Sequence, residues 1–297
     1  MKRRRKKRSA YFGTMINPPR FHRSQIKFLL VLIPLLFVML LPIVFIINHA
    51  FKPLDELYAF PPRFFASRFT LDNFRALFAA SRQAAVPFER YLFNSLLAAV
   101  LVILATLFLS SLAAFAFSFL NFKGKKLLFG ANQVAIMFVA VAVAVPRFIV
   151  MSGLGVTNTF FAHVIPLIAM PVGVFLLKQF MDQIPRQLHE AAVVDGANKW
   201  QVYRLIVMPL VKPALATIAI LAFQASWNNV ETSQLYVTDE ALRTLPFYFT
   251  SLTLGTSGIA AQGIAAAASL IIFLPNLILF VILQRNVMNT MAHSGLK

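Results

Sequence analysis

Residues 185–209 read PRQLHEAAVVDGANKWQVYRLIVMP. The stretch lies between two long apolar runs and carries charges of both signs, so it belongs in water rather than in hydrocarbon. Pro185 suits the first turn of a helix, where its missing N–H costs nothing. Good helix formers around Ala191 and Ala192 carry that helix on to Val194. Gly196 supplies the left-handed residue that ends many helices. Asn198, with Gln201 three residues later, predicts a capping box at the start of a second helix, which Pro209 stops or bends. On the first helix Leu188, Ala191, Ala192 and Asp195 share one face, while Glu190, Val193 and Val194 fall on another. Small residues beside a single carboxylate suit a helix that presses closely into a groove.

Composition sets the surroundings of this loop. The chain has 297 residues, of which 59% are hydrophobic and only 13% charged, with a mean hydropathy of +0.74. These values exclude a soluble globular domain and point to an all-α, polytopic membrane helix bundle in contact with the lipid bilayer. The absence of cysteine excludes disulfide and thiol chemistry. A net charge of +18 could suit nucleic acid, but the cations cluster beside apolar runs, so no nucleic-acid partner is expected.

Taken in order, residues 1–27 form a basic tail with an unbroken run from Lys2 to Arg8, then Arg20, Arg23 and Lys27. Residues 28–50 carry no Lys, Arg, Asp or Glu, long enough for a hydrocarbon core about 30 Å thick. They exceed the apolar region of roughly 7–15 residues in a secretory signal, so an uncleaved first span is expected. Pro53, Pro61, Pro62 and Pro87 mark an external loop with a short helix near 71–78, so that 28–90 is the first span plus this loop. Further spans are expected at 91–119, 127–145, 159–177, 210–230 and 264–283. The second opens on Asn94 and Ser95, and its small residues Ser110, Ser111, Ala113 and Ala114 place it inside the bundle. Pro166 and Pro171 should kink the fourth. Residues 91–285 thus form a five-span core, 232–256 an external segment, and 286–297 a C-terminal tail.

Six spans put both termini on one side, and charge identifies which. With cytoplasmic termini, 20 of the 28 Lys and Arg fall on the cytoplasmic side: Lys2 to Arg8, Arg20, Arg23, Lys27, Lys123, Lys125, Lys126, Lys178, Arg186, Lys199, Arg204, Lys212, Arg285 and Lys297. Basic residues gather on the cytoplasmic face of membrane proteins. The 185–209 loop is therefore expected in the cytoplasm.

The pattern EAA, two residues, DGA, and a hydrophobic tail closing on MP resembles the EAA loop of the membrane subunits of binding-protein-dependent ABC importers. FKP followed by DE and a proline pair, TLDNF, FLLKQFMDQIPRQLHEAA, IVMPLVKPALAT and SWNN at 226–229 resemble the carbohydrate branch, which includes maltose-transporter permeases. The resemblance implies a coupling helix that docks on an ATP-binding ABC subunit. Glu190 would pair with a basic group on the ATPase, Ala191 and Ala192 would form the close-packed face and Gly196 the bend, with Asp195 and Ala197 in the same ATPase-coupling set. It further implies a second, different permease subunit, an extracellular solute-binding protein and a bacterial cell-membrane location. The tail NVMNTMAHSGLK and the stretch TSQLYVTDEALRTLP depart from the usual pattern.

No catalytic constellation is visible, and no cofactor is expected. His22, His49, His163, His189 and His293 are scattered and form no metal-ligand pattern. No G-x-x-x-x-G-K-[ST] loop is present, so energy comes from a partner ATPase or from an ion gradient. The alternative to an importer permease is an ion-coupled secondary transporter, which would place ionisable residues at membrane depth. Only Glu231 and His163 come near. Gln224, Trp227, Asn228 and Asn229 are solute-path candidates, since an aromatic face with amide donors holds a polyhydroxylated solute; interhelical hydrogen bonding is the other role open to them. Asn94, Ser95 and Asn276 are further candidates.

Overall fold

The computed structural model describes residues 25–61, 63–82, 85–255 and 259–294, with backbone alone at 81–82, 255, 259–260 and 285–294. The Lys2 to Arg8 run, Arg20, Arg23, Pro62 and residues 295–297 lie outside the described residues.

Among the described residues all regular structure is helical. The chain runs through α1 (Ile26–Phe51), α2 (Leu54–Leu57), α3 (Asp72–Arg82), α4 (Phe88–Phe119), α5 (Lys125–Met137), α6 (Ala144–Gly153), α7 (Ile165–Ile168) and α8 (Pro171–Met181). It continues through α9 (Arg186–Val194), α10 (Lys199–Gln201), α11 (Met208–Leu210), α12 (Lys212–Trp227), α13 (Glu231–Tyr236), α14 (Leu245–Gly255) and α15 (Ile259–Ser294). Among the described residues, 3 helices are long and apolar enough to cross a membrane: Ile26–Phe51, Phe88–Phe119 and Ala261–Gln284. A further 3 bent pairs each qualify as one span, giving three to six spans by length and composition.

The second expected span is α4, and its place in the bundle follows from its small side chains. Ala98, Ala99, Ser110, Ser111 and Ala114 are buried, letting α8 and α12 approach closely on its two sides. Gly173 on α8 lies close to both neighbours: a Cβ there would lie 3.1 Å from Ser110 Oγ and 3.4 Å from Ile218 Cγ2. Two apolar cores result. One joins Ala50, Leu77, Tyr91, Trp227, Phe249 and Ala267, tying α1 and α3 to α4, α12, α14 and α15. The other joins Phe115, Leu177, Ala192, Tyr203, Val207 and Ile218 and carries the loop that contains α9.

Three expected spans are bent, the fourth span at Pro171 as its sequence predicts. The run 127–145 is not one straight helix: Phe138 and Val139 are extended, with ψ near 130° and 135°, and the helical pieces on either side meet at 112°. The fourth breaks at Met170, immediately before Pro171, by 43°, as a proline disfavours the helical conformation in the residue before it. In the fifth, Pro209 does not end the helix. A π-helical turn at Val202–Val207 leads into α11, and the 81° bend falls at Val211, one residue before the Lys212–Pro213 start of α12. Of the expected external segment, residues 232–255 are described, and they include most of α13 and all of α14. Its apolar portion forms α14, with Leu245, Tyr248 and Phe249 buried.

Candidate coupling loop and solute path

The geometry of the 185–209 loop follows its local sequence closely. α9 begins after Pro185, in which φ is −55° and ψ is 127°. It ends in a Schellman arrangement: Gly196 has φ +87°, its N–H donates to Val193 O at 3.0 Å, and Ala197 N–H donates to Ala192 O at 2.9 Å. The left-handed residue satisfies carbonyls that the helix end leaves unpaired. The capping box then forms in full: Asn198 Oδ1 accepts from Gln201 N at 2.9 Å, and Gln201 Oε1 accepts from Asn198 N at 2.7 Å. Two helices are thereby joined by a bend in which both ends are hydrogen-bonded.

Burial shows which face of α9 is occupied. Ala192 is buried and Ala197 packs beside it, so this side of the loop rests on the bundle. Phe119, at the end of α4, stacks on His189 with ring centroids 5.4 Å apart. Ser111 on α4 hydrogen-bonds Tyr203 at 2.7 Å, which fixes the segment following α10. Glu190, Ala191, Asp195 and Gly196 are exposed, and Val194 is 86% exposed. Glu190 and Asp195 make no ion pair among the described residues. The shared face of Leu188, Ala191, Ala192 and Asp195 is thus divided, with Ala192 turned in and the other three turned out.

The four solute-path candidates separate in the same way. Trp227 is 2% exposed, stacks on Phe223 with centroids 5.5 Å apart, and donates its indole N–H to Ile272 O at 3.0 Å. Its only donor is used between α12 and α15. Asn229 caps α13 by accepting from Thr232 N at 2.8 Å. Gln224 and Asn228 are exposed, and Asn228 Oδ1 accepts from Asn276 Nδ2 at 3.0 Å.

Asn94 and Ser95 belong to a clamp for which the sequence offered no local signal. Asn94 Nδ2 donates to Ala241 O and to Arg243 O, each at 2.9 Å, and Ser95 Oγ accepts from Leu245 N at 2.8 Å. Tyr91 donates to Glu240 at 3.0 Å. His163 closes the set from another direction, with Leu242 O at 2.9 Å from Nε2 and Thr232 Oγ1 at 2.9 Å from Nδ1. A carbonyl only accepts, so Nε2 carries the proton and Nδ1 accepts from the threonine. These partners lie roughly 70–150 residues apart in sequence, which is why spacing could not reveal them. Arg147 and Glu231 approach at 3.5 Å nearby, so the one carboxylate that suggested ion coupling has a cationic neighbour. Burial raises the Tyr236 phenol above its usual value, so it stays neutral at physiological pH.

The family profile described as "Binding-protein-dependent transport system inner membrane component" matches residues 28–287. The trehalose transport system permease protein SugB of Mycobacterium tuberculosis is 28% identical over 260 residues, covering 87% of this chain and 92% of SugB. The trehalose/maltose transport system permease protein MalG of Thermococcus litoralis is 34% identical over 212 residues, covering 71% of this chain and 76% of MalG. A crystal structure of a bacterial ABC transporter involved in import of the acidic polysaccharide alginate contains a chain of the same fold. Its TM-score is 0.75 at 21% identity, over 90% of this chain and 99% of that one.

Proposed function

This chain belongs to the family of binding-protein-dependent transport system inner membrane components, and on that premise we propose that it is the permease subunit of an ATP-driven sugar or oligosaccharide importer. The observation that carries the coupling role is α9: a helix capped at its end by Gly196, resting on the bundle through Ala192, with Glu190 and Val194 facing outward. An outward-facing carboxylate among small residues is what a cleft on a partner ATPase would accept. Six spans with both termini in the cytoplasm put this helix on the ATP-rich side, in keeping with the basic residues around it.

In this reading a pair of ATPase subunits closes on ATP and carries α9 with it. The capping box and the Tyr203–Ser111 hydrogen bond pass that movement to α12 and α4 as a rigid lever, and the spans alternate between outward-open and inward-open states. The breaks at 138–139, Met170 and Val211 are places where such a movement can be absorbed without unfolding a helix. A second, different permease completes the path, and an extracellular binding protein delivers the solute. The carbohydrate assignment is supported by the trehalose and maltose names of the relatives. Gln224 and Asn228, exposed at the end of α12, are polar groups open to a sugar hydroxyl. The test is co-purification of an ATPase subunit with the wild-type chain and with Glu190→Ala. Loss of the ATPase from the variant, at unchanged expression, is expected; equal recovery would remove Glu190 from the coupling surface.

A further inference from the structure

A second polar site lies at the root of α9. The ends of α4 and α8 and the start of α5 enclose a cavity of about 220 Å³ lined by Ser118, Phe119, Lys125, Lys178, Asp182 and Arg186, among others. Three cations face one carboxylate there. Lys178 is held by Asp182 at 2.5 Å and by the Phe129 ring, whose centroid lies 4.7 Å away. Lys125 donates to Leu120 O at 3.0 Å, which leaves further ammonium protons directed elsewhere. Arg186 has no acidic partner among the described residues. Ser118 Oγ is buried without a hydrogen-bond partner.

An excess of two positive charges, a guanidinium fork and an unused hydroxyl suit a tetrahedral, multiply accepting anion. A second feature narrows the choice. The cavity lies at the ends of apolar helices, and on the opposite face of α5 an open, mainly apolar groove of about 690 Å³ runs from Lys126 and Leu127 past Gly130 and Val134 to Phe138. Leu127 is 78% exposed and Met137 81%. A basic cavity at the ends of apolar helices, with apolar surface close by, is where a phospholipid headgroup is held. We propose that this cavity binds the phosphate of an anionic phospholipid. The headgroup would bridge Lys125 and Lys178 to Arg186, the first residue of α9, and so bind the base of the coupling loop to the bilayer.

The proposal rests on the importer reading only for placing the site in the inner leaflet, and it is tested without ATP or solute. The full-length chain, purified with the subunits that accompany it, is examined by native mass spectrometry after exchange into phosphatidylglycerol or phosphatidylcholine, and separately with glycerol 3-phosphate. Retention of phosphatidylglycerol over phosphatidylcholine is expected. Lys125→Gln with Arg186→Gln should weaken it about tenfold or more, the scale of losing charge-assisted hydrogen bonds. Asp182→Asn should tighten it by removing the opposing charge, a gain that misfolding cannot imitate. Equal retention of the two lipids, no change in either variant, or binding of glycerol 3-phosphate without lipid preference would each overturn the proposal. Any of these could occur while the ATPase still co-purifies, so the two readings fail separately.

Discussion

Replacing Gly196 tests the geometry of the coupling bend with little interference from packing. Its φ is +87°, yet a Cβ built there meets nothing within 4 Å, so no steric clash contributes and the cost is that of the backbone conformation. For an L-residue the left-handed region costs about 1–2 kcal/mol, and a β-branched side chain is still less tolerant of it. Gly196→Ala should therefore favour opening of the bend by roughly 5–30-fold, and Gly196→Val by more. The amides that report this are those of Gln201 and Val202, which donate to Asn198 Oδ1 and Asn198 O at 2.9 and 3.0 Å. Hydrogen exchange measured by mass spectrometry on the purified chain should show faster exchange across 198–202 in the order Val, Ala, Gly. Gly130→Ala is the control, since that glycine has ordinary helical φ and equally open surroundings. Unchanged exchange in Gly196→Ala, or equal rates for Ala and Val, would refute the left-handed bend.

Other substitutions probe how the bundle holds this loop and its solute-path candidates. Asn73→Ala removes a side chain that donates to His49 O, Ala50 O and Lys52 O at 3.2, 3.0 and 2.8 Å. With those carbonyls losing this donor, a loss of about 1–3 kcal/mol is expected, read as a lower Tm in detergent. Gly173→Ala should also lower the Tm, because the new methyl presses on Ser110 and Ile218 where α8 meets the core. Trp227→Phe breaks the hydrogen bond to Ile272 O and should reduce stability while leaving the KM for solute uptake unchanged. A raised KM at unchanged Tm would return Trp227 to the solute path.

How much of this was legible in the sequence depended on the distance over which each feature is determined. Gly196, Asn198 and Gln201 act within five residues of one another, and the helix end, the bend and the capping box occur where those residue types predict them. The apolar lengths of α1 and α4 were equally plain, and Pro171 announced the break before it. The break at 138–139 had no such sign, because FVAVAVAV contains neither proline nor glycine; what it does contain is β-branched residues in alternation, which fit extended backbone as well as helix. Pro209 was read as a stop or a bend; the helix continues through it after a π-helical turn at Val202–Val207, and the bend falls two residues later at Val211. For Trp227 the residue type suggested a sugar platform, whereas its surroundings, supplied by α15 some 45 residues away, make it a packing group. The clamp of Asn94, Ser95 and His163 on residues 232–245 is wholly long-range and had no local pattern to read.

The central claim is that the outer face of α9 meets an ATPase, and the chain offers a direct way to measure it because it contains no cysteine. Val194→Cys places a single thiol on a residue 86% exposed. Its labelling by a membrane-impermeant maleimide can be compared in inside-out vesicles with and without the co-expressed ATPase subunits. The importer reading predicts rapid labelling of the chain alone, protection when the ATPase is present, and a cross-link to that subunit by a short bifunctional reagent. Equal labelling in both preparations, with no cross-link, would contradict it.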